Sequence, residues 1–372
     1  MIPAATRCGR QLRRRVRPLV ERAAATPGAD RYRKHFPAQA HLWILLFHVF
    51  DGSDSLRQTH ARLAAAPAGF HRLGLVRGIS RSQLARSSAS RDPACFERLL
   101  ADVVALARPV ARRTAAWREL TAVQAVDSTF LALSAKLSPW SRHGGHAPGV
   151  RVHCGLDLAG LIPAHLRLTL TDTHDARAFD DRGLAELAGW TVVSDLGYYG
   201  HARFARLRDA GVSVIARLHA QAAFAVTATH AVPPITTPDG DIVLADQTVA
   251  LGSPTNRAGA VLPGMRLITS RNPRGEEQRF VTDRVDLSAA DIVALYRKRW
   301  QIELFFRWLK YQLKATHAFG TSRAAVWLTV VVCAIVAVLL SLIDAARPRG
   351  QSHVEWLRGV AAACQIAVLN SS

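Results

Sequence analysis

The spacing of apolar and polar residues changes period near residue 120. Between about 38 and 118 it is helical: His41 to Phe50 reads as a buried helix, Asp51-Gly52-Ser53 breaks it, and Ser55 to Ala66 continues as a polar amphipathic helix. Gly78-Ile79-Ser80 precedes a short basic helix, Arg81 to Arg86. Asp92-Pro93 opens a longer helix running towards Trp117, with proline in the first turn, where its missing N–H costs nothing. An Arg-bearing helix after a Gly/Ser turn suits either a helix-turn-helix DNA reader or a plain bundle with solvated arginines.

Beyond residue 120 short apolar runs alternate with turns. Val123 to Asp127 and Phe130 to Leu133 read as strands, and Val150–Leu158 and Pro163–Thr171 flank a hairpin signal at Ala159-Gly160. A helix over Phe179–Leu187, a buried strand over Trp190–Asp195, a helix over His201–Ala210 and a strand over Val212–Leu218 follow, which predicts a mixed α/β sheet. Residues 219–288 are β-prone, with turns at Pro233-Pro234, Pro238-Asp239-Gly240, Gly252 and Pro273, and read as a β-rich insertion. A helix starting near Ser288 runs without Gly or Pro through Lys310. Ala324 to Ile343 is apolar except for Thr329 and Ser341, long enough to span a membrane. It is solitary and preceded by Thr321 and Ser322 in capping position, so a buried core helix and no membrane are expected. The domain division predicted is a basic arm (1–37), a helical DNA-binding region (38–118), a catalytic region (119–345, with 219–288 inserted) and a C-terminal tail or helix (346–372).

Composition sharpens the partner. The 372-residue chain carries a net charge of +20, and 43 of its 48 basic residues are Arg. That balance favours a polyanion, nucleic acid first, although abundant Arg and Ala also accompany a GC-rich genome. An apolar fraction of 49% excludes a disordered basic tail. Five scattered cysteines without CxxC spacing argue against zinc ribbons and disulfides and point to the cytoplasm. There is no Gly-x4-Gly-Lys-Ser/Thr loop, no HExxH and no Gly-x-Ser-x-Gly, so ATP use, zinc proteolysis and serine hydrolysis are not indicated.

The chemistry concentrates in Tyr296 to Lys310. At 100° per residue, Tyr296, Arg299, Glu303 and Lys310 share an arc of roughly 60°, opposite Ile302, Leu304, Phe305, Trp308 and Leu309. Three of the five lysines (Lys298, Lys310, Lys314) fall in this predicted helix. A solvated face with Arg299–Glu303 and Glu303–Arg307 pairs explains the pattern equally well by itself. Two aspartates lower that reading: Asp127 and Asp195 each end a short apolar strand, where α/β sheets place ligand sites. Two strand-end aspartates and a helical glutamate make a hard, all-oxygen site suited to Mg²⁺ or Mn²⁺. Each aspartate alone could equally cap a turn. Asp157 and Asp172 are weaker candidates, since neither is expected to end a buried strand, and His174-Asp175 reads as a surface loop.

Asp127, Asp195 in Asp-Leu-Gly-Tyr, and Tyr296-x2-Arg299-x3-Glu303-x6-Lys310 together resemble the bacterial DDE transposases of the insertion-sequence-four type, with the Y-R-E-K signature met at all four positions. The resemblance covers roughly residues 120–345. It implies an RNase H-like catalytic core with a β-rich insertion before the last catalytic helix, plus an α-helical N-terminal domain. It also implies that residues 324–343 form a helix covering the sheet. By the same resemblance Asp127, Asp195 and Glu303 bind two divalent ions and catalyse phosphodiester cleavage and strand transfer. Tyr296, Arg299 and Lys310 would contact DNA phosphates. Implied partners are the terminal inverted repeats, target DNA and a second copy on paired ends. Two other readings stay open at this level: a catalytically silent DNA-binding protein, and a non-transposing RNase H-like nuclease.

Overall fold

Helices open and close the chain, and strands fill its middle. The helices are α1 (Ala4–Ala24), α2 (Ala38–Asp51), α3 (Leu56–Ala65), α4 (Arg81–Ser90) and α5 (Ala94–Thr114), then α6 (Asp175–Asp180), α7 (His201–Asp209), α8 (Ala289–Lys298), α9 (Trp300–Tyr311) and α10 (Arg323–Asp344). The strands are β1 (Val123–Ala132), β2 (Gly149–Asp157), β3 (Ile162–Leu170), β4 (Thr191–Ser194), β5 (Ser213–Arg217), β6 (Phe224–His230), β7 (Ile242–Leu251), β8 (Leu262–Arg271) and β9 (Glu277–Thr282). This computed structural model describes residues 4–344 except 32, 67–68, 115–121, 143–144, 172–174, 181–186, 233–234, 254–260 and 312. The expected tail at 346–372, Asp172 and His174 lie outside the described residues, as does most of the helix expected over 179–187. Two units divide the chain: residues 1–116, 131–150 and 305–372 in one, 117–130 and 151–304 in the other.

The second unit is built on a nine-stranded sheet ordered β3-β2-β1-β4-β5-β9-β8-β7-β6. Its centre is parallel, with Ala125 opposite Val193 and Val193 opposite Ile215. These strands are buried on both faces, which is why they read as continuous apolar runs rather than alternating ones. Successive side chains nevertheless point to opposite faces. Val192 and Val214 pack with Phe204 and Leu207 of α7. Val193 and Ile215 pack with Ile292, Val293 and Leu295 of α8. The strands expected as a separate insertion instead extend this sheet: β5 pairs antiparallel with β9 (Ile215 opposite Thr282), and β8, β7 and β6 add antiparallel beyond it. The turn signals at Pro238-Asp239-Gly240, Gly252 and Pro273 fall between these strands, while Pro233-Pro234 lies outside the described residues. The strands' partner, earlier in the chain, leaves no local trace. The two strands expected at 123–127 and 130–133 are one, β1.

The first unit gathers α1–α5 with α10. The apolar run of α10 begins where Ser322 accepts the Ala325 N–H at 3.2 Å. It packs against α5 above all, and against α4 and α2. It is the single helix among the described residues long and apolar enough to cross a membrane, and most of it is buried. Sequence placed it over the sheet; it forms the core of the helical unit instead. Within the stretch read as a basic arm, 1–37, residues Ala4–Ala24 form α1. Leu12, Val16, Val20 and Ala23 recur at helical spacing between the arginines, and α1 buries them, packing on α5 and α2. Between α3 and α4 lie fifteen residues with a single turn of 3-10 helix, far from the three- or four-residue turn of a helix-turn-helix.

Two histidines of α2 sit in this core. His41 Nε2 meets Ser88 Oγ at 3.0 Å, and His48 Nδ1 meets Thr59 Oγ1 at 2.6 Å with its ring edge-on to Phe319. Burial, the largest cause, lowers His48 to about 4, and it lowers His41 as well. The unfolded chain takes up the proton near 6.5 while the folded one resists it until about 4, so acid favours unfolding. The stability held by His48 is complete above about 6.5 and falls as pH drops through 4, by about 3 kcal/mol in all. Urea unfolding followed by circular dichroism across this window should show the loss, and His48→Gln should flatten it.

Candidate active site

Strand parity brings the carboxylates together. Val123 and Asp127 are four apart on β1, and Val193 and Asp195 are two apart at the end of β4, so each aspartate shares a face with a valine that packs on α8. Asp195 lies immediately after β4 in extended backbone, and its Oδ1 accepts the Gly197 N–H at 2.9 Å, capping a one-turn 3-10 helix. A Cβ on Gly197 would meet that same Oδ1 at 3.2 Å, so glycine leaves the carboxylate its room. Asp127 is inside β1 rather than at its end, but paired residues of β1 and β4 reach only Ala125 and Val193. From Asp127 to Phe130 the strand is half-buried, which is what the sequence registered as an end. The Asp127 Oδ1 accepts the Ser128 N–H at 2.8 Å.

Arg299 and Glu303 arrive from α8 and α9. A capping box between Ser288 and Asp291 starts α8 on the sheet. The long helix expected through Lys310 is interrupted at Arg299, whose N–H bonds Tyr296 O, three residues back, as Ile302 N–H bonds Arg299 O. Arg299 still reaches Glu303, one turn on: Nη2 donates to Glu303 Oε1 at 2.7 Å, and Nη1 stands 3.4 Å from Asp127 Oδ2. The guanidinium, only 15% exposed, thus bridges two acids contributed by a strand and a helix. Its carbon lies 5.9 Å over the Tyr296 ring, itself packed on Phe280 at 4.5 Å. Burial opposes the charge of Arg299, but Tyr296, Glu303 and Asp127 together hold its pKa above the usual value.

Asp127 shows what this crowding costs. Burial first, then the charges of Asp195 and Glu303, push its pKa up to about 6 against the opposing Ser128 N–H and Arg299. Asp127 therefore senses both other acids within one unit. Three carboxylate donors are the chemistry a hard divalent cation needs, and the repulsion that raises Asp127 is what such a cation relieves. As they stand, no three His, Cys, Asp or Glu groups among the described residues surround an ion-sized space, and Arg299 supplies the positive charge.

Other expectations fare differently. Lys310 falls in the other unit, half-buried, with its pKa lowered by burial. Leu304 is exposed rather than buried, and Lys314 lies beyond α9 with a positive φ, bonded to Asp54 and Gly52 O. Asp157, set aside for not ending a buried strand, is the last residue of β2 and almost wholly buried, where its Oδ1 accepts the Ala159 N–H. It caps a turn.

Comparison with known proteins bears on this geometry. The family model described as Transposase DDE domain matches residues 119–339, more than half of the chain. The chain belongs to this transposase family. Two of its relatives are named for insertion sequence elements, which agrees with the insertion-sequence-four type. The chain is 25% identical to a transposase for insertion sequence element IS5377 of Geobacillus stearothermophilus, over 72% of this chain and 73% of the relative. It is 30% identical to the transposase y4zB of Sinorhizobium fredii, over 58% of this chain; the match spans 59% of that relative's length. A transposase for element IS4SA of Synechocystis is 22% identical over 78% of this chain and 79% of its own length.

The raised Asp127 carries a stability consequence. Its folded pKa exceeds the unfolded value of 3.8, so its contribution favours folding below that value and is lost as pH rises through about 6. At about pH 8, without metal, the charged side chain is destabilising, and Asp127→Asn is expected to stabilise the protein by about 2 kcal/mol. Urea unfolding in the presence of a chelator measures this; equal or lower stability of the variant would contradict the crowding described.

Proposed function

We infer that the chain is a DNA transposase that cleaves DNA at the ends of its element and joins the freed 3′-hydroxyl to target DNA. The observation that supports this reading is the convergence of Asp127, Asp195 and Glu303, from three elements of one unit, close enough that the charges of Asp195 and Glu303 add to the burial that raises the pKa of Asp127 to about 6. Their arrangement on β1, after β4 and on α9 suits an RNase H-like core. These three acids would hold the divalent ions, Mg²⁺ or Mn²⁺, two in number by chemistry. Such a pair, when bound, activates the attacking oxygen and stabilises the leaving one.

The chain's own groups prepare that site. The Ser128 and Gly197 amides orient Asp127 and Asp195. Arg299 balances the acids and offers a planar, two-pronged donor to phosphate, with Tyr296 beneath it. Lys310 adds a point charge on the same helix as Glu303. The helices of residues 38–118, with Arg81 and Arg86 exposed on α4, together with the basic α1, would hold the element's ends through phosphates, with a second copy on the paired end. The buried α10 accords with a soluble protein working on DNA in the cytoplasm.

Cleavage assays on DNA carrying the element's terminal repeats test the reading. Asp127→Ala, Asp195→Ala and Glu303→Ala should each abolish divalent-metal-dependent cleavage while end binding survives. Persistent cleavage in all three would overturn the site assignment. Arg299→Ala and Lys310→Ala should weaken end binding and make its salt dependence shallower by about one unit of slope each. Joined strands on added target DNA separate a transposase from a simple nuclease.

A further inference from the structure

The antiparallel strands tie down both ends of α8. At its start, Arg266 on β8 pairs with Asp246 on β7, its Nε 2.8 Å from Asp246 Oδ1, and its Nη1 donates to Leu287 O, one residue before the Ser288 cap. At its end, Arg297 makes a two-pronged pair with Asp241, the residue before β7: Nε donates to Oδ2 at 2.8 Å and Nη2 donates to Oδ1. Between these ties, Val243 of β7 and Ile268 of β8 share one buried cluster with Ile292 and Val293 of α8. Asp241 is two residues before Val243, and Arg297 is one turn after Val293, so the ion pair continues that apolar contact in register.

Asp241 is set in place by its own turn. Its side chain is 0% exposed, its N–H donates to Thr237 Oγ1 at 3.0 Å, and its carbonyl accepts the Thr237 N–H at 2.8 Å. Gly240 closes the turn at φ +84°, where a side chain would be strained, and a Cβ there would meet Pro273 Cγ at 3.2 Å. A carboxylate buried this deeply needs a charged partner with matching geometry, and the Arg297 fork supplies it. Arg299 lies two residues further on and keeps helical dihedrals, so it leaves the chain about 200° around the axis from Arg297. One guanidinium therefore reaches the antiparallel strands, and the other reaches Asp127 and Glu303 on the opposite side. The helix breaks at Arg299 itself. A broken helix can pivot at the break unless its last turn is anchored, and Asp241 is the anchor.

We propose that Asp241 and Arg297 are positioning residues for DNA cleavage: their pair fixes the end of α8 so that Arg299 lies between Asp127 and Glu303. Both act through Arg299, and the proposal rests on the transposase reading for the reaction it serves. Arg297→Lys keeps the charge and removes the fork, while Asp241→Asn keeps the volume and removes one acceptor oxygen. In single-turnover cleavage of terminal-repeat DNA at saturating protein, each should slow the rate constant at least about tenfold, with end affinity and its salt slope unchanged. In an Arg299→Ala background, where the positioned group is gone, the same substitutions should cost less than about threefold. A pair that only stabilised the fold would slow both backgrounds alike. A second readout needs neither metal nor DNA. In chelator, the Arg299 Nε–H signal, identified as the one missing from Arg299→Ala, should shift in the nitrogen-15 spectrum of both single variants. Equal slowing in the two backgrounds, or an unmoved Arg299 signal, would overturn the proposal. Should Arg297→Lys fail to fold, Asp241→Asn carries both measurements. A wild-type protein that fails to cleave terminal-repeat DNA in Mg²⁺ would overturn the transposase reading alone, and the spectrum in chelator would still decide whether the pair sets Arg299.

Discussion

A partly buried carboxylate that also feels two neighbouring acids must find compensation, and the second unit of this protein is organised around that need at Asp127. At an effective dielectric of about 20, like charges 4 Å apart repel by about 4 kcal/mol. Two remedies are visible. Asp127 holds its proton up to about pH 6, and Arg299 places one guanidinium between Asp127 and Glu303. A lysine could satisfy one carboxylate but not two in one plane; the forked guanidinium serves both. In the transposase reading, a DNA phosphate and these two acids would compete for the same guanidinium, so the residue that balances the acids would also be the one the substrate draws away.

That arrangement depends on the sheet more than on any residue of the site. Asp127 and Asp195 face α8 because Val123 and Val193 do, and a slip of one position in either strand would send a carboxylate to the α7 side. The register is fixed by burial on both faces: Val192 and Val214 belong to one cluster, Val193 and Ile215 to the other. The antiparallel strands β6–β9 extend the same sheet and return the chain, through the Ser288 cap, to the face where α8 must lie. Glu303, 303 − 127 = 176 positions after Asp127 in sequence, is thus brought to it by way of β6–β9 and α8.

What the sequence made legible follows from which signals are local. The apolar runs of β4 and β5, the capping of α8 and the i,i+4 relation of Arg299 to Glu303 are short-range, and they are present as read. The reading of Arg299 and Glu303 as a solvated ion pair was also partly right, since the pair forms; its third member, Asp127, came from 172 residues away. Pairing of β5 with β9 and the docking of α10 among α1, α2, α4 and α5 are long-range, and composition does not encode them. In α1 the charge obscured a regular apolar stripe at Leu12, Val16 and Val20. The one-residue interruption at Arg299 had no Gly or Pro to announce it.

The net charge of +20 gains meaning only when it is divided by what the arginines touch. Arg91 is buried and spends its donors on Ala29 O, Phe36 O and Asp30. Arg266 is paired with Asp246 across β7 and β8, Arg284 with Asp286, and Arg297 with Asp241. These groups hold backbone and carboxylates in place, and a polyanion would have to break the fold to recruit them. Arg81 and Arg86 on α4, and Arg14, Arg15 and Arg17 on α1, are instead exposed on helices whose other faces are buried. In the proposed reading, affinity for DNA would rest on a surface subset of the arginines, and the geometry of cleavage on Arg299, whose acid partners a phosphate would replace. Bulk charge would bring the polymer near; one guanidinium, set by strand parity and a broken helix, would decide where it is held.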